Sequence, residues 1–253
     1  MVHVSREPDT ASVPDATSLD DHQRRIVATT CERRAALELL GAAAFTGVTQ
    51  ALLDLRADAV IVDLSARAIS EEINHSEIYR SLAIAYAGHD VARPTPAPIE
   101  WPVHEDAEPA LRPALHVVGM CSINETMACA FLDLCLLGTR APAVRKGLHD
   151  VLSDEIRHGR IGWAWLASAN LAARARSAIG DFVLPLLRTQ VRGWRAQIET
   201  VPSPAVPEHG CPSGSAIEAT MVASIKDLVL PGFEHVGIDV RAARAWAEQG
   251  APT

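Results

Sequence analysis

Residues 48–87 read VTQALLDLRADAVIVDLSARAISEEINHSEIYRSLAIAYA and contain neither glycine nor proline. Because those two residue types are the strongest helix breakers, the stretch favours helix, with one short interruption at Arg56-Ala57-Asp58. We predict a first helix over about 26–55 and a second over about 58–87, stopped by Gly88. Two helices joined by so short a turn fold back on each other as a hairpin.

A second hairpin follows a proline-rich connection. Residues 89–113 hold six of the sixteen prolines, which predicts an extended crossover. A third helix is predicted over about 114–137, and a fourth from Pro142, a residue suited to a first helical turn, to about 173. Since the chain shows no alternating strand pattern, the predicted fold class is all-α, a four-helix bundle of two hairpins joined by one long crossover.

The two ends of the chain lie outside the predicted bundle, which covers residues 26–173. Residues 1–25 are polar and lack the apolar segment of a secretory signal, so we expect a flexible N-terminal arm. Residues 174–253 predict a C-terminal helical extension. Its helices are expected at about 177–200, 215–230 and 239–249.

The composition argues against several function classes. The 253 residues carry 23 Lys and Arg against 31 Asp and Glu, a net charge of −8, which disfavours a nucleic-acid partner. No run of 18 apolar residues occurs, so we expect no membrane span. None of the five cysteines forms a Cys-x-x-Cys pair, which argues against a rubredoxin-type iron site and predicts reduced thiols in a cytoplasmic protein.

One Glu-x-x-His motif lies on the second helix of each predicted hairpin. The two segments are Glu71-Glu72-Ile73-Asn74-His75 and Asp154-Glu155-Ile156-Arg157-His158. Residues three apart share a helix face, so each Glu and His pair is able to bind one metal ion. Fewer than one such motif is expected by chance in a chain with 10 histidines, and two occur.

Each first helix carries an acid that is level with one of these motifs. Glu38 precedes Glu72 by 34 residues, and the predicted turn near residue 55 falls midway. Glu125 precedes Glu155 by 30 residues, with the turn near residue 140 midway. Because a hairpin brings its arms back in register, we expect each of these acids to lie beside its partner. Both stand in otherwise apolar stretches, which predicts that they face the bundle core.

Four inward carboxylates are costly in a helical core unless positive charge compensates them. Two divalent cations would supply four positive charges and neutralise the cluster. Carboxylate and imidazole ligands suit iron and also manganese. The residues by themselves leave Fe/Fe, Mn/Fe and Mn/Mn pairs open.

The order Glu, Glu-x-x-His, Glu, Glu-x-x-His resembles the ferritin-like dinuclear carboxylate proteins, over about residues 26–173 and at all six ligand positions. The resemblance implies a ferritin-like bundle, two metal ions (Fe/Fe first, Mn/Fe second) and an oxidoreductase that activates O₂. By the resemblance the bridging ligands are Glu72 and Glu155, the terminal carboxylates are Glu38 and Glu125, and His75 and His158 serve one metal each.

Further candidate residues surround these six. Glu71 and Asp154 lie four residues before the two histidines, where either could accept an imidazole N–H across the bundle or be an ordinary exposed acid. Tyr79 lies four residues after His75, the offset of the radical tyrosine in ribonucleotide reductase small subunits; a core tyrosine with a satisfied hydroxyl is the favoured interpretation. Cys121 and Cys129 flank Glu125 and either line an O₂ pocket or pack in the core.

Three glycines near the ligands also call for explanation. Gly41 lies one turn after Glu38, and Gly159 and Gly162 follow His158 inside the fourth helix. A glycine costs about 1 kcal/mol relative to alanine inside a helix, so we expect close helix packing or an open pocket at these positions.

The long crossover and the C-terminal extension differ from a minimal storage bundle and could cover one mouth of it. Related N-oxygenases carry an additional histidine one turn before the last Glu-x-x-His motif. Val151 stands at that position here, which argues against that subclass. We therefore expect a dinuclear oxygenase or oxidase acting on a small-molecule or carrier-bound substrate, served by a reductase, with a homodimer left open. The alternatives are a bacterioferritin- or rubrerythrin-like ferroxidase or iron-handling protein, a Mn/Fe radical-type oxidase, and a binding scaffold with an inert metal.

Overall fold

The computed structural model describes residues 18–96, 102–168 and 171–252. Within these ranges the protein is all-helical, and its only bridge of β type joins Val206 and Cys211. The predicted all-α class is thus confirmed for the described chain. Residues 1–17 of the predicted arm and residues 97–101 of the predicted crossover lie outside the described ranges.

The first hairpin consists of α1 (Asp21–Asp54) and α2 (Ala59–Ala87), which pack along their length. α1 begins five residues before the predicted start because Asp20 and Gln23 form a capping box. The Gln23 N–H donates to Asp20 Oδ1 (2.8 Å), and the Asp20 N–H donates to Gln23 Oε1 (3.1 Å). Residues 21–25, which were expected in the flexible arm, are therefore helical. α2 ends at Gly88, whose φ of 74° is the left-handed conformation expected of a glycine stop.

The next helix is one continuous rod over Arg112–Gly138 with a change of winding in its middle. It comprises α3 (Arg112–Val117), a π-helical turn (Val118–Asn124) and α4 (Glu125–Gly138). The π-helical turn was not predicted, and it inserts a wider winding directly before Glu125. Such turns occur mostly as single insertions in α-helices and often at functional sites.

α5 (Pro142–Ala167) completes the second hairpin with α4. It ends six residues before the predicted boundary near 173, because Arg176 binds the carbonyls at its end. The Arg176 guanidinium donates to the oxygens of Leu166 (2.7 Å) and Ser168 (3.2 Å), at the end of the helix where carbonyls lose their intrahelical partners. The chain then re-enters helix at α6 (Ala173–Ile198).

The remaining helices form the C-terminal extension. Together with α6 they are a 3₁₀ turn (Pro207–His209), α7 (Gly214–Ser224), a second π-helical turn (Ile225–Val229), α8 (Leu230–His235) and α9 (Arg241–Glu248). α6 packs on the first π-helical turn and α3, whereas α7 packs on α4.

The core is divided into two apolar clusters along the helices. On α2, Ala68 belongs to one cluster and Tyr79 to the other; on α5, Ile161 and Val151 divide in the same way. The buried glutamates and histidines of both helices fall between these positions in the sequence. The helices therefore carry a polar layer between two apolar layers.

Two helices, α1 and the rod Arg112–Gly138, are long and apolar enough to cross a membrane by length and composition alone. This is weak evidence, because the core helix of a globular protein passes the same test. The absence of a membrane span and the cytoplasmic location remain predictions from the sequence.

Gly162 marks the closest approach of α5 to the π-helical turn. A Cβ at this position would lie 2.4 Å from Ser122 Oγ and 2.8 Å from the Ser122 backbone nitrogen. We expect Gly162→Ala to destabilise the protein by about 1–3 kcal/mol, because backbone as well as side chain must move. Gly193→Ala on α6, where a Cβ meets nothing within 4 Å, is expected to stabilise by up to about 1 kcal/mol. Urea unfolding of both variants checks this; equal stabilities would contradict the packing assignment.

Candidate metal centre

Six buried or partly buried side chains from four helices converge in the polar layer. Their ligand atoms form two overlapping groups, and within each group all atoms lie within 4.8 Å of one another. The first group contains Glu38, Glu72, His75 and Glu155, and the second contains Glu72, Glu125, Glu155 and His158. Since Glu72 and Glu155 belong to both groups, the two candidate positions for an ion share two carboxylates.

The centre is closed to solvent except at Glu38. His75 and His158 are each 1% exposed, and Glu38 has 16% of its side chain exposed. The Nδ1 atom of His75 lies 3.2 Å from Glu155, and Nδ1 of His158 lies 3.2 Å from Glu72. Each imidazole therefore faces a carboxylate of both helix motifs, its own and that of the opposite helix.

The outer nitrogens of the two rings are held by a crossed pair of acids. Nε2–H of His75 on α2 donates to Asp154 on α5 (3.2 Å), while Nε2–H of His158 on α5 donates to Glu71 on α2 (2.9 Å). Arg157 binds both acids, at 3.0 Å from Glu71. A carboxylate only accepts, so each ring carries a proton on Nε2, and Nδ1 is the nitrogen that binds a metal ion once it has lost its own proton.

The two Nδ1 atoms have no hydrogen-bond partner among the described residues. A buried polar atom without a partner is costly, and a metal-binding imidazole usually donates its other ring N–H to a carboxylate or a carbonyl. Two buried Nδ1 atoms that lack a hydrogen-bond partner and face the shared carboxylates fit metal ions. A buried group of glutamates and histidines here could thus hold metal.

The pKa values of these side chains also indicate an excess of negative charge in the centre. Burial and the neighbouring carboxylates raise the pKa of Glu38 and of Glu125 well above its ordinary range. Burial disfavours charge on His158, yet its contacts with Glu155 and Glu72 raise its pKa to about 10. The pKa of His75 is raised for the same reason. Without a metal, protons therefore supply the positive charge that the carboxylates need.

A cavity of about 660 Å³ opens onto this centre. Four of the glutamates line one part of it, and the rest is formed mostly by apolar residues of α1, α4 and α6. Trp194 and Ile198 of α6, Val201 and Pro202 of the link that follows, and Ile217 of α7 belong to its wall. The C-terminal extension thus closes one side of the cavity, as the sequence suggested it could, although the residues that do so were not identified.

The remaining sequence candidates divide between the cavity and the core. Tyr79 is 1% exposed and lines the cavity, but its hydroxyl has no hydrogen-bond partner among the described residues, contrary to the expected satisfied hydroxyl. Cys121 and Cys129 are absent from the cavity wall among those residues, and Cys121 belongs to the buried apolar core. Burial raises the pKa of Cys129 to about 12 and that of Cys121 further, so both remain thiols.

Sequence reasoning missed two residues beside the centre. Phe45 packs against the His158 ring with centroids 4.9 Å apart, and Arg34 lines the cavity one turn before Glu38. A charged residue at that spacing from a predicted ligand was a usable signal for Arg34. Phe45 gave none, because a buried aromatic in an apolar helix is ordinary core.

No protein-family model, curated protein or solved structure matches the chain significantly.

Gly41 leaves space for a ligand carboxylate. A Cβ at this position would lie 2.9 Å from both Cδ and Oε2 of Glu72. We expect Gly41→Ala to displace this flexible carboxylate and weaken metal binding about tenfold or more, with little loss of helix content. Titration with Mn(II) followed by electron-spin resonance measures the affinity. Gly159→Ala, whose Cβ would be 3.7 Å from Glu125 Cβ, is the control; equal affinities in the two variants would contradict the role of Gly41.

The raised pKa values predict how the metal-free protein responds to pH. A group with a raised folded-state pKa stabilises the fold below its unfolded pKa and loses that contribution as pH rises through the folded value. His158, with a pKa near 10, and the raised pKa values of Glu38 and Glu125 act in the same direction. The chelated protein should therefore melt at a lower temperature at pH 8.5 than at pH 6.5.

Mn(II) should reduce this loss of thermal stability, because metal replaces protons and binds more tightly as pH rises. Differential scanning calorimetry of the chelated and loaded protein checks both statements. A chelated protein that gains stability over this pH range would contradict the charge assignment.

Proposed function

We propose that α1, α2, α4 and α5 form a ferritin-like four-helix bundle that binds two metal ions, and that the protein is a dinuclear non-haem iron oxygenase or oxidase. The proposal extends from the buried glutamate and histidine group and from the contacts of α1 with α2, α2 with α5 and α4 with α5. Iron is the first choice of metal and a Mn/Fe pair the second.

The overlap of the two ligand groups supports a specific assignment. Glu72 and Glu155 occur in both groups and would bridge the ions. One ion would then add Glu38 and His75, and the other Glu125 and His158, each histidine through Nδ1. Four carboxylates balance two divalent cations, which would remove the need for the protons that compensate the carboxylates without metal.

The observation that carries the proposed activity is the cavity of about 660 Å³ against the ligand carboxylates. A volume of this order accommodates a small organic molecule. An iron-handling protein needs an ion path to its centre, not a large apolar chamber. The cavity therefore favours an oxygenase or oxidase with an organic substrate over the ferroxidase alternative.

Bound iron would supply the reductive activation of O₂, which the side chains themselves cannot perform. The side chains of the protein orient the imidazoles and exclude water. Glu71 and Asp154 fix the imidazoles from outside, and the apolar wall of the cavity limits water near the centre. A reductase partner remains a prediction from the sequence.

Metal analysis and oxygen consumption test the proposal together. Protein from iron-supplemented cells should contain two metal ions per chain, and its reduced form should consume O₂. Glu72→Ala should abolish two-ion loading, because both ions lose a ligand. Glu77→Ala is the matched control on the same helix, since Glu77 is 42% exposed and pairs with Arg80 and Arg93.

Two outcomes would overturn the proposal. Full metal content in Glu72→Ala would remove the ligand assignment. Rapid oxidation of many Fe(II) ions per chain by a large assembly, without an organic substrate, would establish the ferroxidase alternative instead.

A further inference from the structure

Arg34 is a buried cation in the wall of the cavity. It is 9% exposed, and its Nη2 donates to the Gly210 carbonyl (2.9 Å) and to Cys135 Sγ (3.3 Å). Its Nε and Nη1 make no hydrogen bond to the described residues, and no carboxylate of those residues lies within 4.0 Å. A guanidinium stays protonated at any physiological pH, so a full positive charge is buried here without an anion.

Two aromatic rings hold the guanidinium in place. Its central carbon lies 5.6 Å from the ring centroid of Tyr79 and 5.1 Å from that of Phe131. Such contacts stabilise and orient a cation, but they do not neutralise it. A buried charge that lacks a counter-ion is unfavourable, so an anion that enters the cavity gains from its presence.

Tyr79 adds a second unused donor in the same cavity wall. Its hydroxyl is buried and has no hydrogen-bond partner among the described residues. Burial raises the pKa of this phenol well above its usual range, so the proton stays on the oxygen. The guanidinium and the phenol together have four N–H or O–H donors without a described partner: Nε–H, the two Nη1–H and the phenol O–H.

Both residues stand at the same end of the centre. Arg34 precedes Glu38 by one helical turn on α1, and Tyr79 follows His75 by one turn on the antiparallel α2. One turn corresponds to about 6 Å along the helix axis. A group bound by Arg34 and Tyr79 would therefore lie a few bonds away from the carboxylate cluster.

We infer that Arg34 and Tyr79 bind the carboxylate of an amphipathic organic acid, whose apolar body occupies the cavity beside Phe131, Trp194 and Ile198. A planar carboxylate matches the fork of the guanidinium, and the largely apolar wall matches a hydrocarbon or aromatic body. The binding of this acid is independent of the proposed function. Only its role as the molecule that is oxidised rests on the proposed function.

Calorimetric titration of the full-length, chelator-treated protein tests the inference without metal or O₂. The probes are octanoate and 4-phenylbutanoate, each compared with its uncharged amide. The acids should bind at least tenfold more tightly than the amides, because only they offer a charged acceptor. Arg34→Met should remove this preference and leave amide binding unchanged.

Two further variants separate binding from folding. Tyr79→Phe should weaken acid binding about three- to tenfold while it preserves the apolar contacts. Arg67→Met is the control, since Arg67 of α2 is 67% exposed, pairs with Asp63 and is not part of the cavity wall, and this variant should bind acids normally. If Arg34→Met fails to fold, Arg34→Lys retains the charge, loses the fork and should show a partial loss of acid binding.

The inference is overturned if acids and amides bind equally, if Arg34→Met keeps the preference, or if octyl phosphate binds more tightly than octanoate. These results would leave the metal proposal intact. Conversely, a reduced protein that fails to consume O₂ while octanoate binding depends on Arg34 would remove the proposed function alone.

Discussion

The burial of four carboxylates in one layer of a helical core is the constraint on which the rest of the structure depends. Glu72, Glu125 and Glu155 are almost completely enclosed, and Glu38 is only slightly open. Charges of one sign at this density are tolerated only with protons, imidazolium groups or metal ions among them. The layer therefore destabilises the metal-free protein and would stabilise the protein with metal bound.

The apolar layers on either side stabilise the fold and offset the cost of the buried carboxylates. They contain the largest fully buried side chains, such as Phe45 in one cluster and Tyr79 in the other. The same layers keep water from the carboxylates, which strengthens each electrostatic contact. α6 and the link after it extend the enclosure on one side, where the cavity forms.

Much of the centre was readable from the sequence because helix geometry is regular. The spacing of Glu72 and His75 fixes a common face, and the midpoint of each hairpin fixes which acid lies opposite. The start of α1 depended on the reciprocal bonds of Asp20 and Gln23, and the end of α5 on a contact with the distant Arg176. The π-helical turn and the cavity involve the packing of several helices, which a local sequence pattern does not predict.

The crossed acids have a consequence for how such a centre assembles. Each imidazole is steadied by the helix that does not carry it: Asp154 on α5 steadies His75, and Glu71 on α2 steadies His158. If α2 and α5 separate, both rings lose their support at once, and Arg157 loses its bond to Glu71 with them. If the centre binds two ions as proposed, their binding should accordingly be cooperative, so that half-built centres are rare.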